Sequence, residues 1–366
     1  MKNTFGNQLT LTLFGESHGE YIGAVLDGVA AGIRIDEENI KHRLAQRRPR
    51  GDISTARVEA DSYIIASGSY NGYTTGSPLT ILIKNERANS SDYCEFLTRP
   101  RPSHADYVAG VKYAGYQDPR GGGHFSGRLT APIVAVGAIL ESALREKGIY
   151  IGTHIFRLQD VCDRGFSNYD EDINKLYETD FPTLSEEAGK DMTNRILEAK
   201  AQLDSVGGVL ESAVIGMPVG VGEPWFDSVE SMLSHAMFSI PGVKGVEFGL
   251  GFGFADICGS AANDPFTYEG EKVVTKTNNN GGINGGLTNG MPIIFRCAVR
   301  PTPSIFREQE TVDLAQKKNC TLEIKGRHDP AIIHRVRAVV DALTAITLAD
   351  LLVAKYGTDY LAGGKK

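Results

Sequence analysis

The stretch PAIIHRVRAVVDALTAITLADLLVAK, residues 330–355, is where the chain states its architecture most openly. Ile332, Ile333, Val336, Val339, Val340, Leu343 and Ile346 recur at steps of three and four, the spacing that lines up side chains along an α-helix. The run predicts a long, largely buried helix. Asp329 stands directly before it and reads either as its N-cap or as a functional carboxylate delivered with its neighbours Arg327 and His328.

Working outward, Asp36 to Arg48, Thr130 to Lys147 and Leu184 to Leu203 also show helical spacing, while Leu9 to Phe14, Leu79 to Ile83 and Val209 to Ile215 read as strands. The pattern is mixed α and β. No strand–turn–helix unit carries GxGxxG, which disfavours a Rossmann fold. Gly165 to Lys190 is the most acidic and polar stretch and is expected as a surface excursion, and residues 363–366 as a flexible tail. One domain over 1–366 is the simplest count.

The chain has 366 residues, 41% of them apolar, enough for a substantial core. Lys and Arg number 38 against 45 Asp and Glu, a net charge of −7. That balance argues against a nucleic-acid partner held by bulk charge, so an anionic ligand needs a local basic cluster. The five cysteines, Cys94, Cys162, Cys258, Cys297 and Cys320, have no zinc spacing and fit a reducing compartment. The N-terminus has no apolar signal core, and Ala131 to Leu140 is too short to cross a bilayer. A soluble, cytoplasmic protein without a membrane partner is expected.

Of the 42 glycines, ten are gathered in short runs at Gly121–Gly123, Gly249–Gly253 and Gly281–Gly286. Such runs read as linkers or as loops where backbone approaches a ligand, and the patterned segments flanking them favour loops. Four constellations accompany them. Gly15-Glu16-Ser17-His18-Gly19 offers a histidine with backbone freedom, which by itself reads equally as a turn residue. Gln46-Arg47-Arg48-Pro49-Arg50, with Arg57 beyond, is either a solvated helix end or an anion clamp. Arg99-Pro100-Arg101-Pro102-Ser103-His104-Ala105-Asp106 uses prolines to stiffen the segment that carries His104. Downstream, Arg120-Gly121-Gly122-Gly123-His124-Phe125-Ser126-Gly127-Arg128 opens a helix with N–H groups suited to a phosphate or a flavin edge, without the Walker spacing. In the second half, Gly281 to Gly286, Arg300-Pro301-Thr302-Pro303-Ser304 and Gly326-Arg327-His328-Asp329-Pro330 complete the set.

Taken together and in order, these motifs resemble the chorismate synthase family. The resemblance rests on GESHGEYIGAVLDG at 15–28, GGG-x-x-S-x-R at 121–128 and GRHDP at 326–330, joined by RPSHADY, VKGVEFG, NNNGGINGG and RPTPSI. It implies a 1,4-anti elimination of phosphate from 5-enolpyruvylshikimate 3-phosphate with reduced FMN, a reaction without net redox change. Whether NADPH or an external source reduces the flavin stays open. His18 resembles the histidine that protonates departing phosphate, His104 the one that keeps reduced flavin in its working protonation state, and Ser17 with Asp329 a proton relay. Arg47, Arg48 and Arg327 resemble anion-holding positions. Flavin contacts carried over are His124, Phe125, Ser126, Pro241, Gly242, Gly285, Arg300, Pro301, Thr302, Pro303, Ser304 and Arg327. Many members have Arg-Ser-Ser-Ala-Arg where this chain has His124-Phe125-Ser126-Gly127-Arg128, one cation fewer, and Arg50 and Arg57 are both eligible for a further arginine role. The family implies an α+β fold, a β-α-β sandwich with helices between two antiparallel sheets, assembled as a homotetramer. Two rivals remain in view: a flavin and NADPH oxidoreductase, which would consume reductant stoichiometrically, and a non-catalytic phosphate-ligand module, which gives no reason for the histidines.

Overall fold

The computed structural model describes residues 2–54, 60–86, 94–324 and 328–363. Two five-stranded antiparallel sheets enclose a helical layer. The first runs Thr4–Phe5, Thr10–Gly15, Tyr21–Asp27, Leu79–Lys84, Tyr63–Ser67 in spatial order. The second runs Val161–Cys162, Tyr150–Leu158, Gly208–Ile215, Ile293–Val299, Val243–Phe248. In the Ile293–Val299 strand, Ile293, Phe295, Cys297 and Val299 are buried while Ile294, Arg296 and Ala298 are half-buried, the two-residue alternation of a sheet with one core face.

Helix α1 (Glu37–Arg47), helix α3 (Thr130–Glu146) and the C-terminal helix (Ile333–Tyr356) form the middle layer; α2 (Asp106–Lys112) follows the His104 loop outside it. Asp36 caps α1, accepting from the N–H groups of Glu38 and Asn39. The C-terminal helix is buried from Ile333 almost without interruption to Val353. Its start corrects one expectation: Ile332 occupies the N-cap position, and Asp329 lies upstream with its carboxylate 2.6 Å from Arg335 Nη1. Gly127–Glu146, α3 with the 3₁₀ turn that precedes it, is the one stretch among the described residues with the length and hydropathy of a membrane span, and 83% of that window is buried inside the protein.

At the crossing of α3 and the C-terminal helix, Gly137 makes close approach possible. A Cβ built there would lie 2.4 Å from the Cβ of Ala342. Near the same crossing Arg43 reaches from α1 between the two helices, its Nε 2.7 Å from Glu141 and its Nη1 3.1 Å from Asp341. All three side chains are almost fully buried. Farther along, Asp350 accepts the backbone N–H groups of Asn7, Gln8 and Leu9 at 2.9, 2.7 and 2.8 Å, tying the N-terminal segment to the last helix.

The expected excursion at Gly165–Lys190 is instead part of the packed body. Helix α4 (Tyr169–Glu178) is capped by Asn168, buries Ile173 and Leu176, and rests against the second sheet where Gly152 leaves room for Ile173. Helix α5 (Glu186–Ala201) follows, capped by Ser185. The acidic residues that suggested a surface stretch, Asp170, Glu171 and Asp172, form the first turn of α4, where negative charge opposes the helix dipole. Of the expected flexible tail, Gly364, Lys365 and Lys366 lie outside the described residues.

Removing Arg43 strands two buried carboxylates. Arg43→Ala is expected to lower unfolding free energy by about 3–5 kcal/mol, read from urea denaturation monitored by circular dichroism.

Candidate active site

A cleft of about 1080 Å³ opens beside the middle layer, at the upper end of the range for small-molecule sites. Its walls come from segments distant in sequence: Ser17, Arg47 and Arg48, Arg101 to Asp106, Gly121 to Thr130, Pro241 to Lys244, Arg300 to Pro303, Asp329 and Arg335. Among the described residues lining it are eight Lys or Arg and four Asp, with no Glu. A chain carrying −7 overall thus concentrates an excess of positive charge in one cavity.

One carboxylate organises that charge. Asp61, with φ +53 and a fully buried side chain, receives Arg47 Nη2 at 2.8 Å and pairs with Arg128 on its other oxygen; Arg48 Nε lies 3.9 Å away. Burial alone would raise the Asp61 carboxyl, but Arg47 and Arg128 outweigh it and hold the group below its usual range. On the other side Arg335 Nε donates to the Arg47 carbonyl at 2.8 Å while its Nη1 meets Asp329. Each guanidinium is therefore oriented before any ligand arrives. Asp61 and Arg335 were not singled out in the sequence: a lone aspartate carries no pattern, and Arg335 sits inside a run that reads as apolar helix.

The glycine loop closes a second wall. Gly121, Gly122 and Gly123 all have positive φ, and the segment winds as 3₁₀ turns, with α3 starting only at Thr130. A Cβ at Gly121 would lie 2.6 Å from His18 Nε2 and 2.7 Å from Ser17 Oγ, so the bare backbone is what lets this loop lie against the Ser17–His18 turn. Ser17 N–H donates to Gly123 O at 3.1 Å. His124 Nδ1–H donates to Gly15 O at 2.8 Å, which fixes its tautomer. Asn85 braces the same turn through the carbonyls of Glu16 and Gly19 and accepts from Arg128 Nε at 3.1 Å.

His104 lines the cleft from the loop before α2, where Arg101 and Asp106 form a bidentate pair at 2.7 and 2.8 Å. Burial, followed by the Arg101 charge, pushes the His104 imidazole down to about 4; Asp106 works the other way, and Arg300 and His328 add to the depression. The ring is neutral near pH 7.

Of the residues expected at the site, Ser17, Arg47, Arg48, His104, His124, Phe125, Ser126, Pro241, Gly242, Arg300, Pro301, Thr302, Pro303 and Asp329 line this one cavity. His18 is buried behind the lining, against Gly121. Ser304 is also buried behind it, next to His104. Gly285 is a correction: it is exposed, away from the cleft, in a two-residue hairpin turn between Asn284 and Leu287, where Gly285 and Gly286 have φ +60 and +87. That turn geometry itself calls for glycine. Arg50 pairs with Asp180 and does not line the cleft. Arg327, Gly326 and Arg57 lie outside the described residues.

A neutral buried histidine costs stability in acid. His104 contributes fully above about pH 6.5 and its contribution falls as the pH drops toward 4, because the unfolded chain takes up the proton first. His104→Asn should therefore show a smaller loss of unfolding free energy between pH 7 and pH 5 than the parent protein, measured by urea titration at both values.

Residues 9–353 match the family model described as Chorismate synthase. Chorismate synthase of Pyrococcus abyssi (strain GE5 / Orsay) is 45% identical over 349 residues, covering 95% of this chain and 97% of that protein. Chorismate synthase of Korarchaeum cryptofilum (strain OPF8) is 44% identical over 347 residues, covering 94% and 96%. A solved crystal structure of chorismate synthase matches with a TM-score of 0.75 at 29% identity, over 97% of this chain and 95% of that one. With likeness of sequence and of fold running nearly end to end, the α+β chain with its basic cleft belongs to the chorismate synthase family, lyases that act on a small-molecule substrate.

Proposed function

We propose that the cleft binds reduced FMN together with 5-enolpyruvylshikimate 3-phosphate and that the protein performs the 1,4-anti elimination of phosphate that gives chorismate. The observation that carries this reading is the excess of oriented guanidinium groups in a chain of opposite net charge. A substrate with two carboxylates and a phosphate needs several cations held apart from one another, and Arg47, Arg48, Arg128 and Arg335 meet that need around Asp61 and Asp329. Because Asp61 and Asp329 fix these groups in advance, little reorganisation remains when phosphate charge develops on departure.

The residues fit a flavin. Gly121 and Gly122 line the cavity without side chains, Phe125 presents a partly exposed ring, and Arg300 and Lys244 supply charge for a phosphate. His124, Ser126, Pro241, Gly242 and the Arg300–Pro303 segment would complete its surroundings, with Arg327 a further contact. Reduced flavin, when bound, supplies transient electron density that eases cleavage of the allylic C–O bond. This chain's residues bind, orient and move protons. His18, pressed against the glycine loop, serves the departing phosphate as proton donor. His104, neutral near pH 7, holds or releases a proton at the cofactor, and an anion bound nearby would offset Arg101 and Arg300 and raise its basicity. Ser17 and Asp329, both on the cleft wall, serve as the proton relay.

One apolar core reaching from Leu9 to Leu361 supports reading residues 1–366 as a single domain. Cys162, Cys258, Cys297 and Cys320 are free thiols, which supports a reducing, cytoplasmic setting. Trp225, Phe226 and Phe252 are 84%, 90% and 85% exposed, an arrangement that supports burial in a homotetramer. NADPH is one candidate reductant for the flavin.

Purified protein kept anaerobic with reduced FMN should release phosphate and chorismate from the enolpyruvyl ester, with flavin needed in catalytic amounts only. No product from flavin-loaded protein, or consumption of one NADPH per turnover, would remove this reading. His18→Ala and His104→Ala should each slow turnover by about a hundredfold or more; rates near the parent's in both would remove their roles.

A further inference from the structure

Ser304 stands among the expected flavin contacts, yet its side chain is buried behind the cleft wall and its Oγ lies 2.7 Å from His104 Nε2. The two residues are 200 positions apart. Four residues earlier, Arg300 Nη2 donates to Ser103 O at 2.8 Å, so one short segment grips the His104 loop at adjacent points. The same strand of chain continues the grip: Thr311 Oγ1 donates to Pro100 O at 2.5 Å, and Leu314 N–H donates to Thr98 O at 2.8 Å.

The loop needs holding. Ser103 has φ +60, a conformation that is unfavourable for a residue with a side chain and persists where surroundings enforce it. The charged groups facing His104 are otherwise engaged. Arg101 and Asp106, from the loop and the start of α2, are paired with each other; Arg300 gives one N–H to Ser103 O; the ring of His328, ahead of the C-terminal helix, lies 5.2 Å from that of Phe306, tilted by 48°. Among the described residues Ser304 is the side chain that hydrogen-bonds the His104 ring.

We propose that Ser304 is a positioning residue for His104: its hydroxyl fixes Nε2, leaving Nδ1 as the nitrogen that exchanges a proton with the ligand. A hydroxyl suits this task in both protonation states, since it donates to a bare Nε2 and accepts from Nε2–H. Ser304 thereby orients the ring, and the bond is kept whichever ring nitrogen carries the proton. The proposal rests on the proton-handling role given to His104 above.

Ser304→Ala and Ser304→Thr, each in the full chain, test it. Ser304→Ala should lower kcat about ten- to a hundredfold. KM for the enolpyruvyl ester should change by less than about threefold and the pH profile of kcat should shift, while Ser304→Thr, which keeps the hydroxyl, should recover most of the rate. The Kd for FMN, read by flavin fluorescence, should stay within about threefold. Nitrogen-15 NMR of the His104 ring should show a hydrogen-bonded Nε2 in the parent, a shifted Nε2 resonance in Ser304→Ala and its return in Ser304→Thr. Unchanged ring shifts in Ser304→Ala would overturn the proposal. So would a tenfold or greater loss of FMN affinity with kcat intact at saturation, which would make Ser304 a flavin contact. Ring shifts are read without turnover, so a parent protein that made no chorismate would remove the function and leave the Ser304–His104 hydrogen bond testable. Should Ser304→Ala fail to fold, Ser304→Cys carries the same measurements.

Discussion

Because Gly137 has no side chain, α3 and the C-terminal helix approach until a Cβ on that residue would overlap Ala342, and the remaining dimensions of the molecule follow from this approach. Interiors are packed as densely as organic crystals, so the spacing of two crossed helices fixes where each attached sheet must lie. Arg43 then joins Glu141 and Asp341 across the same layer. A buried ion network of this kind adds little stability over an apolar replacement, yet removing one partner leaves the others' charge buried and uncompensated. The cleft lies where this layer meets the loops, and residues of the C-terminal helix such as Val336, Val339 and Leu343 form part of its wall.

The chemistry of the cleft depends on charge held in place. Guanidinium groups set close together repel, and without a counter-charge they would spread into solvent or draw in adventitious anions. Asp61 and Asp329 prevent that while leaving an excess of positive charge for the ligand. Electrostatic stabilisation is most effective when the stabilising groups are already oriented, so a buried Asp61 and a half-buried Asp329, of the wrong sign for an anion, still prepare the cleft to hold one. His104 is likewise set by its surroundings, kept neutral first by burial and then by the Arg101 charge.

What could be read from sequence follows the range of the interaction. The C-terminal helix was legible because its burial is written in consecutive residues, and α1 because Asp36 caps it locally. The site motifs were legible as a set through family resemblance, and the fold gathers most of them at one cavity. Asp61 was not, since its meaning lies in three arginines brought to it by tertiary structure. Gly285 misled because a hairpin turn and a ligand-facing loop make the same demand for glycine. The Gly165–Lys190 segment misled for a related reason: acids placed to match a helix dipole look, in sequence, like acids placed in water.

Asp350 has its partners at the opposite end of the chain. Its carboxylate holds the N–H groups of Asn7, Gln8 and Leu9, more than three hundred residues upstream, and Lys2 to Phe5 beyond them form part of the cleft wall. Residues 7–9 thus take their place only against a helix that lies far downstream, and the stretch of cleft wall formed by Lys2 to Phe5 depends on one of the longest loop closures in the fold. Pairings of such sequence separation are slow to form, so this edge of the cavity belongs to the late stages of folding.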